Sequence, residues 1–200
     1  MPEFLFHKKN ETINVEERLN KFIMKGKNTF AGFKINKLLS DIIILSNGGI
    51  FKDVSFTFVN LENNSILTEG SIVDLRFLLS FKINSDLTAV DGCFDSVYLF
   101  DDGIQLNGVN QRSKPPFYLP FILDEFSNQF CIDMNTGTIN YWDYELSGGE
   151  FEYEIPIVAT SFPSFLKLII DQNGGYIKNL SEIYDELKEM RESKEHTNFH

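Results

Sequence analysis

The segment 131–145, CIDMNTGTINYWDYE, contains side chains that could do chemistry at close spacing. It holds the carboxylates of Asp133, Asp143 and Glu145, a glycine turn and the only tryptophan of the chain. Such residues could bind a calcium ion, form an acid pair for hydrolysis, or build a β-hairpin without further chemistry. The spacing of the residues distinguishes these three interpretations.

A calcium loop is excluded by the positions that follow Asp133. Asp133 and Asn135 match the first and third positions of an EF-hand loop, but Gly137 occupies the fifth, where an oxygen ligand is needed. Thr138 then stands where glycine is needed, and Tyr144 where a bidentate glutamate is needed. A hairpin explains the same residues better, because Asp and Asn favour turns and glycine accepts a positive φ.

An acid pair for hydrolysis remains a lesser alternative. Asp133 and Asp143 flank the turn and could lie near each other across two paired strands, and Glu145 follows. Hydrolysis by two carboxyls needs a separation of about 5–9 Å and environments that set their pKa values apart. The sequence gives no sign of the second requirement.

Motifs for nucleophilic catalysis, metal binding and phosphate binding do not occur in the sequence. The histidines, His7, His196 and His200, lie near the chain ends, where a preorganised base is not expected. Cys-x-x-Cys pairs and glycine-rich phosphate loops are missing. The two cysteines, Cys93 and Cys131, are predicted to be small buried residues and not a disulfide framework. We therefore expect no catalytic, metal-binding or cofactor-binding residues.

The composition favours one acidic globular domain. The chain has 200 residues, of which 42% are hydrophobic and 20 are Phe, so a sizeable aromatic core is expected. The net charge of −11 argues against binding to nucleic acid or anionic lipid. It would attract a basic protein partner, or it serves solubility alone. Signal-peptide and transmembrane patterns are missing, so a cytoplasmic location is expected. We expect a monomer or a weak homodimer.

Hydrophobic periodicity predicts an α+β fold. The chain is expected to form a central, largely antiparallel or mixed sheet, with helices at both ends of the chain packing on it. Helices are predicted after a capping box at 14–17 and over 36–45, 93–100, 162–170 and about 180–192, before a frayed tail at 193–200. Strands are predicted over 54–60, 72–83, 118–123, 128–133, 138–143 and 150–159, and a loop over 101–116.

An ordered set of short segments resembles the SUKH superfamily, named in part for a yeast regulator of cell-wall synthesis. The segments are NGG at 47–49, LPF at 119–121, NQFCID at 128–133, TGTINYWDYE at 136–145 and ATSFPSFL at 159–166. The resemblance spans roughly residues 34–171. It departs from the family at Tyr144, where histidine is common, and in a longer middle region. The residues that carry it, expected to be structural, are Gly48, Gly49, Leu119, Pro120, Asn128, Asp133, Gly137, Trp142, Glu145, Ser161, Phe162, Phe165 and Leu166.

The resemblance implies a binding module that is not an enzyme. Bacterial members of the family are implied to be immunity proteins, which bind and silence a toxin that is often a nuclease. We therefore predict an immunity protein that binds a cognate toxin with a basic surface. The fungal members imply the alternative of a regulatory scaffold for the cell's own proteins.

Acidic residues are the candidate partner-binding site. Glu150, Glu152 and Glu154 alternate along a predicted strand and would share one face, which is either solvated or turned to a basic partner. The full predicted set is Asp101, Asp102, Asp124, Glu125, Asp143, Glu145, Glu150, Glu152 and Glu154. Trp142 is either a core residue or an interface anchor, and its alternation with Ile139 and Tyr141 slightly favours the core.

Overall fold

Four helices and eleven strands are resolved in a computed structural model that describes residues 1–6, 14–29, 32–58, 72–79, 81, 97–100, 103–106, 109–110, 118–143 and 155–197. For residues 29, 97–100, 103–106, 109–110 and 191–197 the description is of the backbone alone. The helices are α1 (Val15–Thr29), α2 (Lys37–Ser46), α3 (Phe162–Gln172) and α4 (Leu180–Thr197). The strands are β1 (Glu3–Phe6), β2 (Gly49–Lys52), β3 (Ser55–Thr57), β4 (Ile72–Leu78), β5 (Val97–Phe100), β6 (Gly103–Leu106), β7 (Val109–Asn110), β8 (Tyr118–Asp124), β9 (Gln129–Asp133), β10 (Ile139–Trp142) and β11 (Ile157–Ala159).

Eight of the strands form one main sheet. Its order is β1-β2-β4-β8-β9-β10-β11, with β3 also paired to β4, and every strand pair is antiparallel. Strands β5, β6 and β7 form a separate three-stranded sheet, and β6 contacts β8. The prediction of an α+β fold with a central sheet and helices at both ends of the chain is confirmed. None of the helices in the described ranges is long and apolar enough to cross a membrane.

Phenylalanine side chains join α3 to the sheet. The Phe165 ring lies 5.1 Å from the Phe130 ring and 5.2 Å from the Phe56 ring, measured between centroids. All three side chains are almost completely buried. Helix α2 contacts α3 and buries Leu38, Leu39, Ile42 and Ile43 in the same core. The high phenylalanine content therefore supplies a shared aromatic core, as the composition predicts.

The LPF segment forms a β-bulge in the centre of the sheet. Pro120 has no N–H to donate, and the pairing of β8 with β9 shifts register between Pro120 and Ile122, which leaves Phe121 as the extra residue. The Phe121 ring packs against Phe162 and Phe165, with centroid distances of 5.5 and 5.7 Å. Two segments of the resemblance, LPF and ATSFPSFL, therefore contact each other in the core.

The NGG segment ends α2 and begins β2. Asn47 occupies the left-handed cap of this helix, at φ 51°, and Gly48 follows at φ 72°. The buried Asn47 side chain donates to the carbonyl of Phe81 at 3.0 Å and accepts from its N–H at 2.9 Å. The segment thus ties the helix to the chain that follows β4.

Two predictions for the middle of the chain were wrong. Strand β5 lies within the predicted helix 93–100, and β6 and β7 lie within the predicted loop 101–116. Val97, Tyr98 and Phe100 are strand-forming types, and Asn107-Gly108 between β6 and β7 is a pair that two-residue hairpin loops favour. Strands β1 and β2 were not predicted. The predicted strands at 118–123, 128–133 and 138–143 are confirmed as β8, β9 and β10.

Candidate partner-binding site

Residues 131–143 form the turn and most of the two strands of the β9–β10 hairpin, and Asp133 holds the turn. The Asp133 carboxylate accepts from the N–H groups of Asn135 at 2.7 Å and Thr136 at 3.3 Å. Gly137, at φ 80°, supplies the left-handed residue, and its N–H donates to the carbonyl of Asp133. The hairpin prediction is confirmed, and Asp133 is engaged by its own turn.

The proposed acid pair is not assembled. Asp133 adjoins the turn, whereas Asp143 follows Trp142, which pairs with Gln129 at the other end of the hairpin. The two aspartates are therefore separated by about five strand residues, roughly 17 Å. This distance is too long for hydrolysis by two carboxyls, which need about 5–9 Å. Glu145 lies outside the described residues.

Trp142 is a core residue. Its side chain is 2% exposed and packs with Ile155 and Tyr118 in a small cluster apart from the main core. Tyr141, next to it, belongs to the main core, as the alternation along a strand requires. The preference for core over interface is confirmed.

A cleft of about 400 Å³ adjoins the Asp133 turn, between the N-terminal ends of α2 and α3. Ser161, in its lining, uses its hydroxyl to cap α3 by accepting from the N–H of Ser164. The carboxylate on the lining is Asp133, which is engaged by the turn. The residues described around this cleft include no histidine or cysteine, and the described part of the chain has no cluster suited to a metal ion.

The β8–β9 turn, at the opposite end of the hairpin, is built over a buried carboxylate. Asp124 is 1% exposed, although we predicted it to be part of an acidic binding surface. One of its oxygens accepts from the N–H groups of Phe126 and Asn128, both at 2.9 Å. The other accepts from the Asn128 side chain at 3.0 Å and from the Tyr141 hydroxyl at 2.7 Å. We correct the prediction: Asp124 holds the turn from within, and cannot meet a partner directly.

The backbone of this turn is fixed on both sides. The Asp124 N–H donates to the Asn128 carbonyl at 3.1 Å, and this hydrogen bond closes the turn. Ser127 takes the left-handed position at φ 67°, which is unfavourable for a residue other than glycine. The Glu125 N–H donates to the carbonyl of Asp74 on β4 at 3.0 Å. The turn is therefore held in one conformation by contacts from two neighbouring elements.

Three side chains project around this buried network. Glu125 is exposed, Phe126 is 73% exposed, and Asp143 is half-buried. We call these three residues the β8–β9 turn surface. Sequence reasoning predicted Glu125 and Asp143 but missed Phe126, whose only signal was an aromatic residue within an acidic turn. The other predicted partner-binding residues lie outside the described residues, at Asp101, Asp102, Glu145, Glu150, Glu152 and Glu154.

Burial raises the pKa of the Tyr141 hydroxyl, and the negative charges of Asp124 and Asp143 raise it further. In the unfolded chain this hydroxyl titrates near its ordinary value of about 10. Above that pH the unfolded chain binds fewer protons than the folded one, so the free energy of unfolding should decrease as pH rises.

Tyr141→Phe should weaken this alkaline loss of stability. The variant should be about 2 kcal/mol less stable at pH 7, because the hydrogen bonds of the hydroxyl to the Asp124 carboxylate and from the Asn128 side chain are lost, but the difference from wild type should shrink above pH 10. Urea unfolding midpoints from pH 7 to pH 11.5 test this. Burial also raises the pKa of the Cys131 thiol, but that contribution is common to both proteins and cancels in the comparison. A stability difference between wild type and Tyr141→Phe that stays constant from pH 7 to pH 11.5 would contradict the raised pKa of Tyr141.

Comparisons of the chain with protein-family models, with curated proteins and with solved structures found no match. The SUKH resemblance therefore stays a prediction, and the β8–β9 turn surface depends on geometry alone.

Proposed function

We propose that this protein is a bacterial cytoplasmic immunity protein of the SUKH type. It neutralises a cognate nuclease-type toxin by stoichiometric protein binding, without turnover. The supporting observation is that the segments of the SUKH resemblance interlock within one α+β unit: LPF packs on ATSFPSFL, NGG ties α2 to the chain after β4, and the 131–143 part forms a central hairpin.

Within these segments the residue types have structural uses. Asp133 holds a turn, Ser161 caps a helix, and Gly48 occupies a left-handed position next to the carbonyls of Leu78 and Leu79. Because these residues are used to hold the fold, the segments of the resemblance support a binding scaffold better than a catalytic centre. The separation of Asp133 from Asp143 is also unfavourable for the hydrolase alternative.

Charge supports a protein partner with a basic surface. The net charge of −11 would speed association with such a partner through long-range attraction. The β8–β9 turn surface adds exposed acidic and aromatic groups on a fixed backbone, and these are groups that protein interfaces use.

Co-expression should show protection. Cells that express the toxin domain encoded by the adjacent gene should stop growing, and wild-type protein should restore growth. Gly48→Ala, expected to be severely destabilised, is the control for a folded-state effect. A toxin that kills equally with and without this protein would overturn the proposal. A growth defect on deletion in a strain that lacks the toxin would instead favour the regulatory scaffold.

A further inference from the structure

Phe126 is the most exposed aromatic residue among those whose side chains are described. Its side chain is 73% exposed, compared with 44% for Tyr176 and 41% for Phe6. A phenylalanine in water is a large unburied apolar surface, and aromatic residues that become buried on association often dominate binding energy. A single exposed apolar residue is common in proteins, so the argument depends on how Phe126 is held and on what surrounds it.

The Phe126 backbone is fixed by a hydrogen bond to the buried network around Asp124. Its N–H donates to Asp124 at 2.9 Å, and Asp124 is fixed in turn by Asn128 and Tyr141. The residues on either side are held by the Glu125 N–H contact with β4 and by the closure of the turn at Ser127. A turn that is ordered before binding loses little conformational entropy on association. This rigidity is what an anchor residue requires.

Acidic side chains lie beside Phe126. Strand β4 contacts the turn through the Asp74 carbonyl, which accepts from the Glu125 N–H. Asp74 on the same strand and Glu125 on the turn are exposed, and neither forms a salt bridge with another described residue. The cation of this strand, Arg76, lies over the Phe77 ring, 4.8 Å from its centroid. The turn therefore presents an apolar centre with a negative rim.

Charge decides which kind of partner fits this surface. Anionic lipid and nucleic acid would be repelled by a chain of net charge −11, and a second copy of the chain would be repelled too. A basic protein would be attracted, and its lysine or arginine side chains could pair with the rim while an apolar pocket received the ring.

We propose that Phe126 is the anchor by which this protein docks to its basic toxin partner. The ring enters an apolar pocket of the toxin, and Asp74 and Glu125 face cationic side chains at the rim of that pocket. This inference depends on the proposed immunity function and assigns that function to one surface of the molecule.

Phe126→Ala should weaken binding to the toxin domain of the adjacent gene by roughly 30-fold or more, mainly through faster dissociation. Phe126→Leu, which keeps an apolar side chain, should stay within about fivefold of wild type. Met24→Ala is the matched control, because it truncates a side chain that is 62% exposed on α1, and it should change the affinity less than about twofold. Biolayer interferometry at 150 mM salt measures all four proteins, and equal urea midpoints confirm that each is folded.

Glu125→Lys tests the rim separately. It should slow association by roughly tenfold at low salt, and the difference should disappear at 0.5 M salt, because screening removes long-range attraction. If Glu125→Lys associates at the wild-type rate at low salt, the acidic rim does not contribute to binding.

The outcomes distinguish the proposed role of Phe126 from the proposed immunity function. If wild-type protein binds the toxin and Phe126→Ala binds it within threefold of the wild-type affinity, Phe126 is not the anchor, and the immunity function stands. Wild-type protein that neither binds the toxin domain nor protects cells would overturn both. A wild-type dimer that Phe126→Ala converts to a monomer would assign the turn to self-association and overturn the anchor.

Discussion

Asp124→Ala should lower the free energy of unfolding by about 3–5 kcal/mol. The carboxylate is 1% exposed and accepts four hydrogen bonds, from two backbone N–H groups, the Asn128 side chain and the Tyr141 hydroxyl. Its removal leaves the Asn128 N–H and the Tyr141 hydroxyl without their acceptor in a buried place, and each unsatisfied buried donor costs about 1–3 kcal/mol. Urea unfolding followed by circular dichroism measures the change.

Glu125→Ala is the matched control for this prediction. Glu125 is the next residue, carries a similar carboxylate and lies in the same turn, but its side chain is exposed. Its removal should change stability by less than about 0.5 kcal/mol. If both variants lost similar amounts, the effect would come from the turn in general and the buried network would not be its cause.

The contrast between these two neighbours shows how far the sequence could predict the site. Asp and Glu in a turn between two strands are normally exposed, so both were predicted to be surface residues. What buries Asp124 is the Tyr141 hydroxyl from β10, together with the side chain of Asn128. Such a contact depends on strand order and register, which periodicity does not supply. Phe126 was missed for a different reason: phenylalanine is usually buried, and nothing local in the sequence marks this one as exposed.

The fold was predictable where local signals agreed with tertiary structure. Strands β8, β9 and β10 have alternating or continuous apolar residues and turn residues at hairpin spacing, so their ends were predicted to within one residue. Strand β1 was not predictable, because it is short and its outer edge is held by Lys178, far away in the chain: the Phe4 N–H donates to the Lys178 carbonyl at 3.0 Å. For β5 to β7 the signal was present, in Asn107-Gly108, and was overlooked.

Gly48→Ala should be the most damaging single methyl addition within the NGG segment. Gly48 has φ 72°, and a Cβ atom there would lie 2.4 Å from the Leu79 carbonyl oxygen and 2.6 Å from that of Leu78. Both atoms belong to the backbone at the end of β4, so they cannot move aside as a flexible side chain could. The steric overlap should cost about 1–3 kcal/mol. The left-handed backbone costs an alanine about 1–2 kcal/mol more. A loss of about 4 kcal/mol is expected, seen as a lower Tm by roughly 10 °C or as failure to accumulate folded protein.

Gly137→Ala separates the two causes. Gly137 has a similar φ of 80°, but a Cβ atom there would meet nothing within 4 Å. This variant should therefore show the left-handed penalty alone, about 1–2 kcal/mol, and a fall in Tm of roughly 3–6 °C. Because φ is similar at the two sites, the difference between the variants measures the closeness of β4 to the helix end. Equal losses would mean that the left-handed backbone alone requires glycine at position 48, and that α2 and β4 are less closely packed there than the distances indicate.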